Sequence, residues 1–263
     1  MRRARAAAAT ALTSAVLALV TAACSSDGPG TGPHAAAPTP ASTTTPPVYV
    51  AVGASETAGV GAEVPLRDGW PRVLFRTAMP ANTVFVNMGI PGATVAQALA
   101  EELPMALDQE PTVATVWLNV NDIIAGVARA DFERDLGTLV HRLRRGGATR
   151  VLVANAPPLD HLPAYLACRP DPPAAAPPCS LGTTLPPPDV VNQAVDDYNA
   201  ATARVVAREG ANLVDLHAVG LAARDAGIED ALVSRDGFHP NSGGHQAVAT
   251  AFAQVLRQTG PLG

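Results

Sequence analysis

Thr112-Val113-Ala114-Thr115-Val116-Trp117-Leu118-Asn119-Val120 is nearly continuous in apolar and β-branched residues. A strand wetted on one face alternates polar with apolar residues, whereas an unbroken run belongs to a strand covered on both faces. That predicts a strand over 112–120 in the middle of a parallel sheet. Shorter β-branched runs at 48–52, 83–86, 150–154 and 211–216 read as further strands, giving a five-stranded sheet. The intervals carry helical periodicity at 71–78, 94–107, 131–145, 188–208 and 241–258. Within 131–145, for example, Phe132, Leu136, Leu139, Val140 and Leu143 recur on one helical face. Asn241 is placed to cap the last helix. Strands alternating with helices give an α/β fold, a parallel sheet with helices on both faces.

Residues 48–263 are long enough for one well-cored domain. What precedes them has a different composition. Met1-Arg2-Arg3-Ala4-Arg5 is a short basic region, followed by an apolar run over 11–20 and small residues leading to Ala22-Ala23-Cys24. These features describe a secretory signal over 1–23, too short for a membrane span. The cysteine after the small residues is similar to the lipobox of bacterial lipoproteins, in which Cys24 carries lipid as the mature N-terminus. Plain secretion with a leftover cysteine is the alternative. Residues 24–47 are Gly, Pro, Thr, Ser and Ala with little to bury, and read as a disordered tether. An extracytoplasmic domain tethered to the cell membrane through a lipid anchor is expected.

The chain is 48% hydrophobic, 4% aromatic and carries a formal net charge of −5. Removal of 1–23 takes away Arg2, Arg3 and Arg5 and no acid, so the exported chain is more acidic still. Such a domain is not expected to bind nucleic acid, and a monomer is the economical reading. Between the fourth strand and the next helix lies a proline-rich excursion at 157–187, with Cys168 and Cys179 bracketing a short loop. Two cysteines so placed in an exported protein predict a disulfide, with free thiols as the alternative. An excursion of this length has room to wall one side of a cleft.

Sites in open α/β sheets form beyond the carboxyl ends of the strands. Ser55 follows the first strand, Gly89 the second and Asn121 the third. A fourth stretch, Asp236-Gly237-Phe238-His239-Pro240, sets an acid and an imidazole three residues apart ahead of the last helix. On one side of a turn, the carboxylate can hold one ring hydrogen and leave the other nitrogen as a general base. Ser55 offers the nucleophile that such a base needs, and Gly89 and Asn121 offer donors to an oxyanion. Each has an ordinary reading alone: a helix-capping serine, an aspartate closing a turn, turn glycines. Their convergence on one sheet edge points to catalysis. His245 lacks the spacing of a metal site and reads as a helix residue, so no metal is expected. His141, His161 and His217 read as structural. The α/β-hydrolase elbow G-x-S-x-G fails at Thr57, which stands where its second glycine belongs.

Gly53-Ala54-Ser55, Asn87-Met88-Gly89-Ile90-Pro91-Gly92, Asn119-Val120-Asn121-Asp122 and Asp236-Gly237-Phe238-His239-Pro240 together resemble the four ordered blocks of the SGNH, or GDSL-type, esterase/lipase superfamily. The resemblance covers the chain from Val48 onward. It implies a three-layer α/β/α, flavodoxin-like fold with a five-stranded parallel sheet. It also implies Ser55 as nucleophile, His239 as general base and Asp236 as its orienting acid. The Ser55 and Gly89 amides and the Asn121 side chain would form the oxyanion hole, with no cofactor. Ala54 and Asn119 depart from the family's usual Asp and Gly. The implied activity is hydrolysis of a carboxylic ester of a lipid, small molecule or acylated glycan through an acyl-enzyme. An acyltransferase to a sugar and a catalytically silent binding protein are the alternatives.

Overall fold

A computed structural model describes residues 45–176, 178–179 and 184–261. The signal sequence, Cys24 and most of the tether expected from the sequence lie outside the described residues. In chain order the elements are β1 (Val48–Gly53), α1 (Ser55–Ala58), α2 (Pro65–Asp68), α3 (Trp70–Ala78), β2 (Val84–Asn87), α4 (Val95–Asp108) and β3 (Val113–Trp117). Then come α5 (Val120–Ile124), α6 (Arg129–Arg144), β4 (Arg150–Ala154), α7 (Pro163–Cys168) and α8 (Pro188–Glu209). β5 (Asn212–Val214), α9 (Leu216–Asp225) and α10 (Ser242–Gln258) complete the fold.

The five strands are parallel in the order β2-β1-β3-β4-β5. Because side chains alternate across a strand, each strand feeds two cores. Val50, Val52, Ala114, Val116, Val151 and Val153 pack on one face against α4, α6 and α8 through Leu103, Phe132, Leu136 and Val205. Tyr49, Ala51, Val113, Trp117, Leu152 and Ala154 pack on the other against α3 and α10 through Trp70, Leu74 and Phe252. Trp70 and Phe252 stack with ring centroids 4.3 Å apart. β3 has no exposed residue, Thr115 included, as its nearly continuous apolar and β-branched run requires.

The central strand is shorter than the run that announces it. The ladder stops at Trp117, and Asn119 turns the chain by donating from its side-chain amide to the carbonyl of Ala154, 3.2 Å away. α5 begins at the next residue, so Asn121 sits on a helical first turn and not at a strand end. Asn241 caps α10 by accepting from the Gly244 amide at 3.0 Å. Cys168 and Cys179 are joined by a disulfide, which closes a loop inside the proline-rich excursion at the end of α7.

Candidate active site

Ser55 opens α1 immediately after β1, so its side chain stands at the carboxyl edge of the sheet. Its Oγ lies 2.9 Å from His239 Nε2. His239 Nδ1 lies 2.6 Å from Asp236 Oδ2. Three further donors point at the other carboxylate oxygen: the Ser234 hydroxyl at 2.7 Å, the Phe238 amide at 2.8 Å and the His239 amide at 2.9 Å. Partial burial pushes the Asp236 pKa up, but these donors and the imidazole outweigh it and hold the pKa at about 2. An ionised Asp236 can only accept, so Nδ1 carries the ring hydrogen and Nε2 faces Ser55 with its lone pair. The loop is held from both sides. Ser234 donates its amide to the His239 carbonyl at 2.8 Å, and the Asn241 side chain donates to the carbonyls of Ala231 and Val233.

The expected oxyanion donors are placed unequally. The Gly89 amide donates to Asn87 Oδ1 at 2.9 Å, and Asn87 in turn donates to the Thr57 carbonyl at 2.7 Å. A Cβ at Gly89 would meet the Ala58 nitrogen at 2.7 Å. Glycine is required there for close packing on α1, and its amide is already engaged. Gly92, three residues on, adopts φ +84°, a conformation open to glycine and costly to most other residues. Its amide has no partner among the described residues. The segment around it is pinned by the Ile90 amide donating to the Gly53 carbonyl at 2.9 Å and by Asn121 Nδ2 donating to the Ala93 carbonyl at 3.0 Å. Asn121 keeps its second N–H. Asp122 turns away and is buried, both of its oxygens accepting from the Val95 amide at 3.2 Å. Burial raises its pKa to about 6.

Two glutamates are placed where composition gave no warning. Glu56 is buried beside Ser55, with Oε2 3.3 Å from the serine Oγ, and burial raises its pKa. Glu102 on α4 is fully buried and accepts from the Gly53 amide at 2.8 Å, bracing the turn that leads to Ser55. Burial, only partly opposed by that bond, pushes the Glu102 pKa up to about 8. Below the unfolded value of about 4.3, both states are protonated. As pH rises from there towards 8, the unfolded chain releases a proton that the folded chain keeps, so stability falls. Glu102→Gln, which cannot titrate, is therefore expected to melt progressively higher than wild type as pH rises from about 5 to 8. Equal melting shifts at both pH values would contradict this.

An apolar cavity of about 130 Å³ lies between Glu56, Trp117, Val120, Leu159, Leu162 and Phe238, so that residues on either side of the Ser55–His239 pair in sequence, Glu56 and Phe238, reach into it. Pro157, Pro158, Leu159 and Leu162 come from the proline-rich excursion, and Ala164 on α7 donates its amide to the Gly237 carbonyl at 3.0 Å. The excursion thus walls the cavity and braces the Asp–His turn. His245 is buried on α10, receiving the Trp70 amide at 3.2 Å and lying 3.0 Å from the Val60 carbonyl. It is a structural tie. His141 lies 3.1 Å from Glu209 and His161 3.5 Å from Glu229. The His217 amide donates to Asn155 at 2.9 Å. Among the described residues no group of three metal-ligating side chains stands together.

The fold has known counterparts. The fold is similar to the esterase EstA from Pseudoalteromonas sp., at TM-score 0.58 and 15% identity over 81% of this chain and 97% of that one. It is similar to a lipase/acylhydrolase from Enterococcus faecalis, at TM-score 0.60 and 18% identity over 81% and 96%. A two-domain esterase active on acetylated mannans matches at TM-score 0.56 and 18% identity, over 81% of this chain and 50% of that one. No curated protein sequence matches. The sheet order and layers are those of the SGNH hydrolases. The model of the GDSL-like lipase/acylhydrolase family matches residues 51–247. With three-quarters of its length inside that match, the chain belongs to the GDSL-like lipase/acylhydrolase family and is a hydrolase of ester bonds.

Proposed function

We propose that the protein is a serine esterase that cleaves carboxylic esters of a lipid or acylated glycan through an acyl-enzyme at Ser55. The observation that carries this is the unbroken chain of contacts from Ser55 Oγ to His239 to Asp236. Ser55 Oγ attacks the acyl carbon while its proton passes to His239 Nε2. The tetrahedral oxyanion takes hydrogen bonds from the Ser55 amide, the Gly92 amide and the free N–H of Asn121. Gly92 replaces Gly89 in this role because the Gly89 amide is spent on Asn87. Collapse expels the alcohol, which takes the proton from His239. Water then gives a proton to the same nitrogen, attacks the acyl-enzyme and releases the acid, with Ser55 recovering its hydrogen. Ala54 and Asn119, the two departures from the family pattern, touch none of these proton transfers. Ala54 is apolar and buried, and Asn119 is spent on the Ala154 carbonyl. Loss of ester hydrolysis in Ser55→Ala, with the fold intact, tests the reading. Turnover near wild type would overturn it.

The domain acts outside the cytoplasm, held to the cell membrane by lipid on Cys24. The Ala22-Ala23-Cys24 sequence before a tether supports this reading, as does a disulfide, a bond of oxidising compartments. Cys24→Ala is expected to move the protein from the membrane fraction to the soluble one or to block its processing. A native protein recovered wholly from the medium, with its N-terminus beyond Cys24, would refute the anchor.

A further inference from the structure

Arginines are distributed unevenly over the domain. Between Leu136 and Leu159 the sequence holds no acid and four arginines, Arg142, Arg144, Arg145 and Arg150. The fold gathers them where the strands begin, at the amino edge of the sheet. Arg144 and Arg150 line a polar hollow of about 430 Å³ together with Pro47, the residue that leads into β1. Arg145 donates to the Pro111 carbonyl at 3.2 Å, just ahead of β3. Arg150 opens β4 and donates to the Gly260 and Pro261 carbonyls at 2.8 and 3.1 Å. That contact brings in Arg257 from the last turn of α10. A cation at a helix C-terminus is ordinary, but here the acids to match are few. Arg67, Arg129, Arg134, Arg204, Arg208 and Arg224 each pair with a carboxylate. Among the described residues, Arg142, Arg144, Arg150 and Arg257 pair with none. The backbone carbonyls that Arg144 and Arg150 meet cancel none of their charge. Asp108, Glu110 and Glu209 are the acids of the neighbouring helix ends. Of these, Glu110 lies 3.9 Å from Arg145, and Glu209 is engaged by Arg208 and His141.

The same edge is where the chain from Cys24 enters the domain, through Pro47 into β1. Ser55 stands beyond the opposite end of β1, a strand of six residues, about 20 Å long. We infer that this arginine cluster is a docking surface for the anionic headgroups of the membrane, and that it turns the active-site edge away from the bilayer. The inference rests on the lipid anchor proposed above, which sets the far end of the tether in that membrane. The tether expected over 24–47 spans at most about 80 Å, so it holds the domain near the membrane and leaves its facing open. Charge selects the face. The domain is acidic as a whole, but exposed charges more than about 10 Å apart are largely screened at 0.1 M salt. An anionic headgroup layer therefore meets the nearest face and not the net charge. So oriented, the enzyme works on esters outside its own bilayer, which favours an acylated glycan over that membrane's lipid.

The test uses the exported chain, residues 24–263, carrying Cys24→Ala so that no lipid anchors it. It is sedimented with vesicles of phosphatidylcholine alone or mixed with phosphatidylglycerol, in low and in high salt. Binding is expected on the anionic vesicles only, and is expected to be lost in high salt. Arg142→Gln/Arg257→Gln removes two exposed cations that make no polar side-chain contact among the described residues. It should weaken binding by about 30-fold, at about fivefold per arginine. Arg169→Gln/Arg235→Gln makes the same change in net charge on the excursion and the Asp–His turn. That pair should weaken binding by less than about threefold. Circular dichroism checks the fold of each variant. Absence of binding to the anionic vesicles would overturn the inference, as would equal binding to the neutral ones. If both pairs weaken binding equally, net charge alone is read and the assigned face is wrong. Retention on heparin with none on the vesicles would give the cluster to a soluble polyanion and overturn membrane docking. Neither protein-bound lipid nor hydrolysis enters the assay. Failure of the anchor, which the location of Cys24→Ala tests, is therefore distinguishable from failure of the docking surface.

Discussion

Ser55→Ala is expected to lower kcat/KM on a short-chain ester by about 10⁴–10⁶-fold, while the melting temperature moves by only a few degrees. The size follows from what the substitution removes and what it leaves. It deletes the one oxygen that stands 2.9 Å from His239 Nε2, so the acyl-enzyme route closes entirely. It leaves the oxyanion donors and the cavity, which can still assist direct attack by water, so some rate above background survives. Because Ser55 and His239 act as a unit, His239→Ala should cost about as much, and the double variant little more than either. Stability changes little because the lost hydroxyl makes two polar contacts and fills almost no core volume. Incubation with EDTA should leave wild-type turnover unchanged, since every step is assigned to Ser55, His239, Asp236 and fixed amides. Strong inhibition by the chelator, or Ser55→Ala turning over within tenfold of wild type, would sink the serine mechanism.

The sheet was legible because burial on two faces leaves its mark in composition: β1, β3 and, after Arg150, β4 are nearly continuous apolar and β-branched runs, and their neighbours show helical spacing. The ends were less so. Nothing in Leu118-Asn119-Val120 announces that the Asn119 side chain will reach the Ala154 carbonyl and stop the strand, because Ala154 lies 35 residues away. α9 follows β5 after a single residue, with Asp215 as its cap, so the apolar Leu216 at their junction reads equally well as the end of a strand. At the site, Ser55, Asp236 and His239 are readable because their chemistry is in their residue types. Gly89 and Gly92 have identical side chains, so choosing between their amides needs the partner of each. Only the fold shows that Asn87 occupies one and leaves the other free. Glu56 and Glu102 look like ordinary surface acids in sequence. Their burial is decided by Trp117 and by the Gly53 turn, which come together only in three dimensions.

Asn121→Ala is expected to lower kcat by about 10²–10³-fold with a smaller change in KM. The carbonyl oxygen of a bound ester is a weak acceptor; in the tetrahedral intermediate it is an anion, and fixed donors count most at that moment. One N–H of Asn121 is tied to the Ala93 carbonyl at 3.0 Å, which holds the amide group still and directs the other away from that bond. The same tie fixes the segment carrying Gly92, so the loss combines a missing donor with a loosened neighbour. Asp122 provides the control. Its carboxyl is buried on the Val95 amide at the start of α4, away from Ser55. Asp122→Ala should therefore cost about 1–3 kcal/mol of stability, as removal of a buried partner does, with turnover of the folded protein reduced far less than in Asn121→Ala. Chemical denaturation separates the two effects before kinetics are compared on one short-chain ester. If Asn121→Ala keeps wild-type kcat, or folded Asp122→Ala is the slower enzyme, then the third oxyanion donor is not Asn121. The Ser55 and Gly92 amides would then hold the oxyanion without it.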